Sequence, residues 1–256
     1  MSKKAKIIFF IAMGVVVVAI AVIVISLVSR ANRKSIYEEI KPTIPAQTVV
    51  DENGNYKSPI DFTAMKAINE DIYAWITLPD TTIDYPIVQG DGPNGDDVDY
   101  YLNHTIEHAE GLPGSIYTRS TDNTKTFEEF NTVIYGHELA DNTFFTPLHN
   151  YMDAEYFKTH REIKIYLPDK ELTYKIFATV TYDDRLIPYY YDNNDPTARQ
   201  QFLDSIYNNR YLTDNIADDI TVTPDDQIIT LSTCIYDLPT NRYLVLGVKT
   251  GETPAK

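Results

Sequence analysis

Gln227-Ile228-Ile229-Thr230-Leu231-Ser232-Thr233-Cys234 and, after a short loop, Arg242-Tyr243-Leu244-Val245-Leu246-Gly247-Val248-Lys249 carry the reading of the fold. Both segments are short, apolar and rich in Ile, Val and Thr, so they read as two final strands rather than a helix. The same grammar extends backward. Ile163, Ile165 and Leu167 alternate with Lys164 and Tyr166, Pro168-Asp169-Lys170 makes a turn, and Leu172, Tyr174, Ile176, Ala178 and Val180 alternate again. Glu162–Tyr182 therefore reads as a hairpin. Ser115–Thr118 and Thr132–Tyr135 are short strand candidates. Thr82–Val88 is another, with Pro86 marking an edge or a bulge.

Helical signals are fewer. Ser58-Pro59 supplies an N-cap with proline at the first helical position, and Asp61 completes the cap. Phe62, Met65, Ile68 and Ile72 then follow at helical spacing, which predicts a helix to about Trp75. Asp195-Pro196 opens a second helix carrying Ala198, Phe202, Ile206 and Tyr207. Many strands with a few inserted helices predict an α+β domain, mainly β, built on a mixed barrel or sandwich.

Upstream, Ile7 to Val28 is apolar except for Gly14 and Ser26. At 1.5 Å per residue it spans roughly 33 Å, enough to cross a bilayer. It is longer than a signal-peptide core, and it ends in Ser29-Arg30 rather than a small-residue cleavage site. The expected organisation is a short cytoplasmic N-terminus (1–6), a transmembrane anchor (7–28), a tether (29–57) and a catalytic domain (58–256). The tether is polar, holds Pro42, Pro45 and Gly54, and has a short helix expected near Ile36–Ile40. Three basic residues lie on each side of the span, so charge alone does not orient it; the free N-terminal amine adds to an inside N-terminus. The expectation is a single-pass cell-membrane protein with its N-terminus inside and its body outside.

Net charge is -15, and residues 1–34 contain basic residues but no Asp or Glu. The acidity belongs to the body. Such a body repels phosphate backbones, which excludes nucleic acid as a partner. Cys234 is the one cysteine, so no disulfide forms within the chain.

Three residues carry candidate chemistry. Cys234 sits where an apolar strand meets a loop; a thiolate there suits acyl transfer through a thioester, whereas a buried cysteine would be an inert small hydrophobe. His137 closes Thr132-Val133-Ile134-Tyr135-Gly136, with Gly136 giving the backbone freedom to aim the ring. Arg242 opens the last strand, where a guanidinium could hold a substrate carbonyl or a developing oxyanion. His149 and His160, in an aromatic-rich polar stretch, read as ordinary helix-surface residues. His104-Thr105-Ile106-Glu107-His108 matches the pattern of inverted zinc proteases, but Gly111-Leu112-Pro113-Gly114 follows it closely and leaves no long helix to carry a metal site. No acidic orienter for His137 is evident: Asp237, near Cys234, is a candidate by sequence, but an acid in a loop is ordinarily just solvated.

Together these positions resemble the sortases. Thr230-Leu231-Ser232-Thr233-Cys234 fits the sortase T-L-x-T-C signature, Arg242 opens the following strand as the family arginine does, and Tyr135-Gly136-His137 lies upstream as the family histidine does. The order His, Cys, Arg separates the chain from papain-like enzymes, whose cysteine comes first. Ile68-Asn69-Glu70-Asp71-Ile72-Tyr73-Ala74-Trp75-Ile76, Ile83-Asp84-Tyr85-Pro86-Ile87-Val88-Gln89 and Tyr100-Tyr101-Leu102-Asn103-His104 are most similar to class B members. The resemblance covers roughly residues 58–250.

It implies an eight-stranded sortase-type β-barrel with an N-terminal helix and a helix between strands 6 and 7. The implied enzyme is a cysteine transpeptidase of a Gram-positive envelope. It would cut a C-terminal sorting motif of secreted proteins after Thr, hold the acyl group on Cys234 and pass it to an amine of peptidoglycan or its lipid-linked precursor. His137 would shuttle the proton and Arg242 would hold the oxyanion. Leu102, Ser232 and Tyr236 would line the substrate groove, and Thr233 would support the nucleophile. No cofactor and no metal are implied, since the class A calcium loop has no match. The alternatives are a membrane-tethered binding module with an inert cysteine, and a zinc protease using His104 and His108.

Overall fold

The computed structural model describes residues 2–45 and 50–254. Residues 46–49 of the expected tether and the last two residues of the expected catalytic domain lie outside that description. The chain divides into two compact units, Met1–Ile40 and Lys41–Lys256.

The first unit is one helix, α1, Lys3–Glu39. Ser2 caps it by accepting from the Ala5 N–H. Described apolar side chains from Ile8 to Val28 are exposed, among them Ile8, Phe10 and Val18. The helix is long and apolar enough to cross a membrane. The separate short helix expected near Ile36–Ile40 is instead the last turns of α1, because no helix breaker interrupts the chain between Arg30 and Glu39.

In the second unit, α2 runs Phe62–Ile68 and β1 runs Ile72–Thr77. This corrects two expectations. The cap is Asp61, whose Oδ1 accepts from the Ala64 N–H at 3.0 Å, while Ser58 bonds to the Ile60 N–H before the helix begins. The helix also stops well short of Trp75. Asn69 is extended, and its buried amide donates to Tyr101 Oη (2.7 Å) and the Ile106 carbonyl (2.9 Å) while its Oδ1 accepts from the Asp71 N–H. Satisfying those buried polar groups turns the chain out of the helix. Trp75 then lies in a strand, with Nε1 donating to Asp84 at 2.6 Å.

β2 (Asp84–Val88), β3 (Ile116–Tyr117), β4 (Asn131–Tyr135), β5 (Glu162–Tyr166) and β6 (Lys170–Asp183) follow. A short helix α3, Ala154–Thr159, precedes β5. After β6 come α4 (Ile187–Tyr190), α5 (Pro196–Tyr207) and the two-residue β7 (Asn215–Ile216). β8 (Ile228–Cys234) and β9 (Asn241–Pro254) complete the chain. The expected hairpin forms between β5 and β6. Asp195 caps α5 as the sequence predicts. Pro86 pairs opposite Trp75; the irregularity lies on the other strand, between Ile72 and Ala74.

Among the described residues the strand order is β5-β1-β2-β3-β4-β8-β9-β6, and β5 pairs with β6 to close it. The result is an eight-stranded barrel with β7 added beside β6. Ile229, Leu231, Tyr243 and Val245 are fully buried. On the opposite parity, Ile228, Leu244, Leu246 and Val248 pack with Phe202, Leu203 and Ile206 of α5. The strands therefore bury both faces, one inside the barrel and one beneath the insertion between β6 and β7.

Candidate active site

β4, β8 and β9 are neighbours. β4 and β8 are parallel, with Tyr135 opposite Ser232, and β8 and β9 are antiparallel, with Cys234 opposite Arg242. Paired residues point to the same face of a sheet, and residues two apart share that face. Continuing the β4–β8 register by two residues sets His137 opposite Cys234. His137, Cys234 and Arg242 thus stand side by side on the face that α5 covers, at the strand ends where that cover runs out. All three line one cavity of about 290 Å³. Cys234 is exposed, whereas the preceding residues of β8 are all buried.

The β8–β9 ladder brings the cysteine and the arginine close. Lys249 N donates to Gln227 O at the other end of the pair. Antiparallel ladders alternate bonded and non-bonded pairs, so Cys234 and Arg242 form a non-bonded pair, the kind whose side chains approach more closely. The two Nη1 protons of Arg242 go to the carbonyls of Asn241 (2.9 Å) and Pro239 (3.2 Å). Nε and Nη2, with no partner among the described residues, are left for an oxygen in the cavity.

His137 is half-buried, and its Nε2 lies 2.7 Å from the Leu102 carbonyl oxygen. A carbonyl only accepts, so Nε2 carries the proton and Nδ1 is the nitrogen available for exchange. Burial pushes the imidazole below its ordinary pKa, and the Leu102 hydrogen bond opposes that only in part. The orienting partner is thus a backbone carbonyl. Among the described residues no carboxylate bonds to this ring, so Asp237 does not serve as the orienter.

The glycine expected to aim His137 works differently. Gly136 does not have positive φ. A Cβ there would come within 2.5 Å of Ile116 Cδ1 and 2.6 Å of Phe145 Cδ2, so the requirement is close approach. Gly114 does have φ +65°, and a Cβ on it would meet the Leu102 oxygen at 2.4 Å and His137 Cδ2 at 3.2 Å. It is the residue whose bareness lets the Leu102–His137 contact form.

Of the expected groove residues, Leu102, Ser232 and Thr233 line the cavity. Ser232 shares the face of Tyr135 and Leu244, its partners on the two flanking strands. Thr233 has the opposite parity, pairs with Tyr243, and its buried hydroxyl has no partner among the described residues; it faces away from the side of the sheet that Cys234 and Arg242 share. Tyr236 is 87 % exposed in the β8–β9 loop and outside the cavity lining.

The sequence reading missed the opposite wall, formed by Asp183 to Ile187. Arg185 forks onto Asp183 through Nε (2.7 Å) and Nη2 (2.6 Å) and reaches Tyr191 Oη at 3.1 Å. The guanidinium holds the Asp183 carboxyl below the usual carboxylate range. Tyr135 was also missed, though its place two residues before His137 could have found it. His149, read as a surface residue, instead bonds through Nε2 to the Cys234 carbonyl at 3.1 Å.

His104 and His108 do not form a metal site. His104 stacks on Tyr100 at 3.8 Å with Nδ1 against the Tyr100 carbonyl, and His108 sits in a turn with φ 62°. No helix forms to place both on one face. Among the described residues no group of three or more His, Cys, Asp or Glu is arranged to hold a metal ion.

The sortase domain profile matches residues 76–250. The chain is 32 % identical to the sortase B of Listeria monocytogenes over 173 residues, covering 66 % of this chain and 65 % of that protein. It is 30 % identical to the sortase B of Staphylococcus aureus over 223 residues, covering 85 % and 83 %. The solved structure of Clostridium perfringens sortase B superposes with a TM-score of 0.65 at 25 % identity, covering 75 % of this chain and 100 % of that one. Profile, relatives and barrel agree: the chain belongs to the sortase family of cysteine transpeptidases, and within it to class B.

Proposed function

We propose that the chain cleaves a C-terminal sorting motif of secreted proteins after Thr and transfers the acyl group to an amine of peptidoglycan or its lipid-linked precursor. The single observation that carries this reading is the convergence of His137, Cys234 and Arg242 on one face of three adjacent strands, around one cavity. A buried cysteine would favour a binding module; this one is exposed.

The chemistry follows in two halves. The Cys234 thiol gives its proton to His137 Nδ1, and Sγ attacks the Thr carbonyl carbon. The free Nε and Nη2 protons of Arg242 hold the oxyanion. The C–N bond breaks as His137 returns the proton to the leaving amine, and a thioester remains on Cys234. An incoming amine then attacks the thioester, loses its proton to His137, and expels the thiolate, which takes that proton from His137 as the new amide forms. Leu102 and Ser232 line the acyl side of the cavity, Thr233 supports the strand below, and Tyr236 meets the substrate from the loop. No cofactor enters either half.

A solved sortase B, 29 % identical with a TM-score of 0.62, is described in complex with triglycine. That supports a peptide amine as the class of acceptor. α1 supports a membrane anchor over residues 7–28, with 1–6 inside, 29–57 as tether and the domain from 58 onward outside the cell. The test is mass spectrometry of a sorting-peptide library incubated with the full chain and candidate amines. The expected product joins the peptide up to Thr to the amine, and a product found equally with Cys234→Ala would refute the reading.

A further inference from the structure

We propose that His149 is a positioning residue that holds the Cys234 end of β8 in place; this rests on Cys234 being the nucleophile. The β4–β8 ladder reaches Gly136 N donating to Ser232 O at 3.1 Å. In a parallel ladder the next rung would be Glu138 N donating to Cys234 O. That rung is taken by the His149 side chain, whose Nε2 donates to Cys234 O at 3.1 Å. An imidazole thus completes the sheet at the residue where β4 turns away.

Three features make this a built contact. The ring stacks on buried Tyr243, with centroids 5.3 Å apart, and Tyr243 is the cross-strand partner of Thr233. Glu138 Oε1 lies 3.6 Å from the same Nε2, so one nitrogen faces both the residue after His137 and the carbonyl of Cys234. His149 also projects from a 3-10 segment, Thr146–Met152, that is anchored by buried Pro147, Leu148 and Tyr151.

The consequence is geometric. Fixing the Cys234 carbonyl fixes the plane of the following peptide, because that unit is rigid. It limits rotation about the Cys234 backbone and so the direction in which Sγ leaves the strand. His149 contacts the carbonyl and not the sulfur, so its effect falls on orientation.

The test separates the N–H from the ring. His149→Phe keeps the aromatic stack on Tyr243 and deletes the donor; His149→Gln loses the ring but keeps an Nε2–H within reach. Full chain is assayed with a peptide returned by the library screen, alongside Cys234→Ala and a thermal melt. The expected result is a kcat loss of roughly 10- to 100-fold in His149→Phe with KM nearly unchanged, as for a misaligned reacting group, and substantial recovery in His149→Gln. The reverse order, with Phe active and Gln impaired, would show that His149 acts by packing and overturn the proposal. Cleavage that requires Cys234 but ignores both His149 substitutions removes the positioning role alone. Cleavage that survives Cys234→Ala removes the nucleophile and this role with it.

Discussion

Cys234 and Arg242 are directly opposed across the antiparallel β8–β9 pair, at a non-bonded position where side chains come closest. Their separation along the chain is closed by one loop, and the carbonyls of Pro239 in that loop and of Asn241 at the start of β9 take the Nη1 protons of Arg242. The planar fork is therefore half anchored and half presented. A lysine could not divide its donors in this way. Arg242→Lys should lower kcat/KM by roughly 10²-fold, the scale of a lost oxyanion donor, while Tm stays near wild type. Near-native turnover measured by peptide cleavage would remove Arg242 from the oxyanion role.

Cys234 is exposed at the end of an otherwise buried strand, so removing its sulfur opens no cavity in the core. Cys234→Ala should fold with an unchanged melt and show no transfer product. A methylthiosulfonate reagent should label the native chain at once and fail to label this variant. A wild-type thiol that labels only after unfolding would speak for the inert-cysteine alternative.

Much of this is legible in the sequence, for identifiable reasons. β5, β6, β8 and β9 alternate or run apolar between clear turns, and the signature around Cys234 sits on the strand that holds it. β1 reads as helix because Ile72 to Ile76 are all buried; with both faces covered there is no polar alternation, and Ile72 happens to continue the spacing of Phe62, Met65 and Ile68. The contacts of Asn69 that end the helix come from Tyr101 and Ile106, far along the chain. His149 and Leu102 act through backbone carbonyls, which leave no mark in side-chain chemistry. The Asp183–Ile187 wall becomes a wall only after the barrel closes.

The half-buried imidazoles predict the direction of acid sensitivity. Burial lowers the pKa of both His137 and His149 from the ordinary 6.5. Below that value the unfolded chain takes up protons that the folded chain refuses, so stability falls as pH drops through about 6.5 toward the folded values. Tm should decline from about pH 7.5 to about pH 5.5, ahead of carboxylate titration. His137→Gln should flatten the slope of Tm against pH over that window. An identical slope in the variant would show that the ring does not bind protons differently in the two states.

The face that carries the site depends on α5. Phe202 is fully buried and packs with Ile228, Leu244 and Leu246, on the same parity as Cys234 and Arg242. Phe202→Ala should destabilise by about 3–5 kcal/mol, the usual cost of a large aromatic removed from a core, read by urea denaturation. An effect below about 1 kcal/mol would mean that the insertion can close over the gap.

Gly114 offers the most local test of the Leu102–His137 contact. It has φ +65°, and an added Cβ would lie 2.4 Å from the Leu102 oxygen, too close for any real contact. Gly114→Ala must therefore move the Tyr100–Leu102 turn away from the ring, besides costing about 1–2 kcal/mol for alanine in the left-handed region. Freed from the carbonyl, His137 loses the bond that fixes its tautomer at Nε2–H, and Nδ1 no longer faces the cavity as a committed acceptor. The expected result is a kcat loss of at least roughly 10-fold on the scale of a disturbed general base. The ring proton on Nε2, followed by NMR, should exchange faster with water. Full activity together with an unchanged Nε2–H resonance would mean that the Leu102 carbonyl is a bystander and that another group orients the histidine.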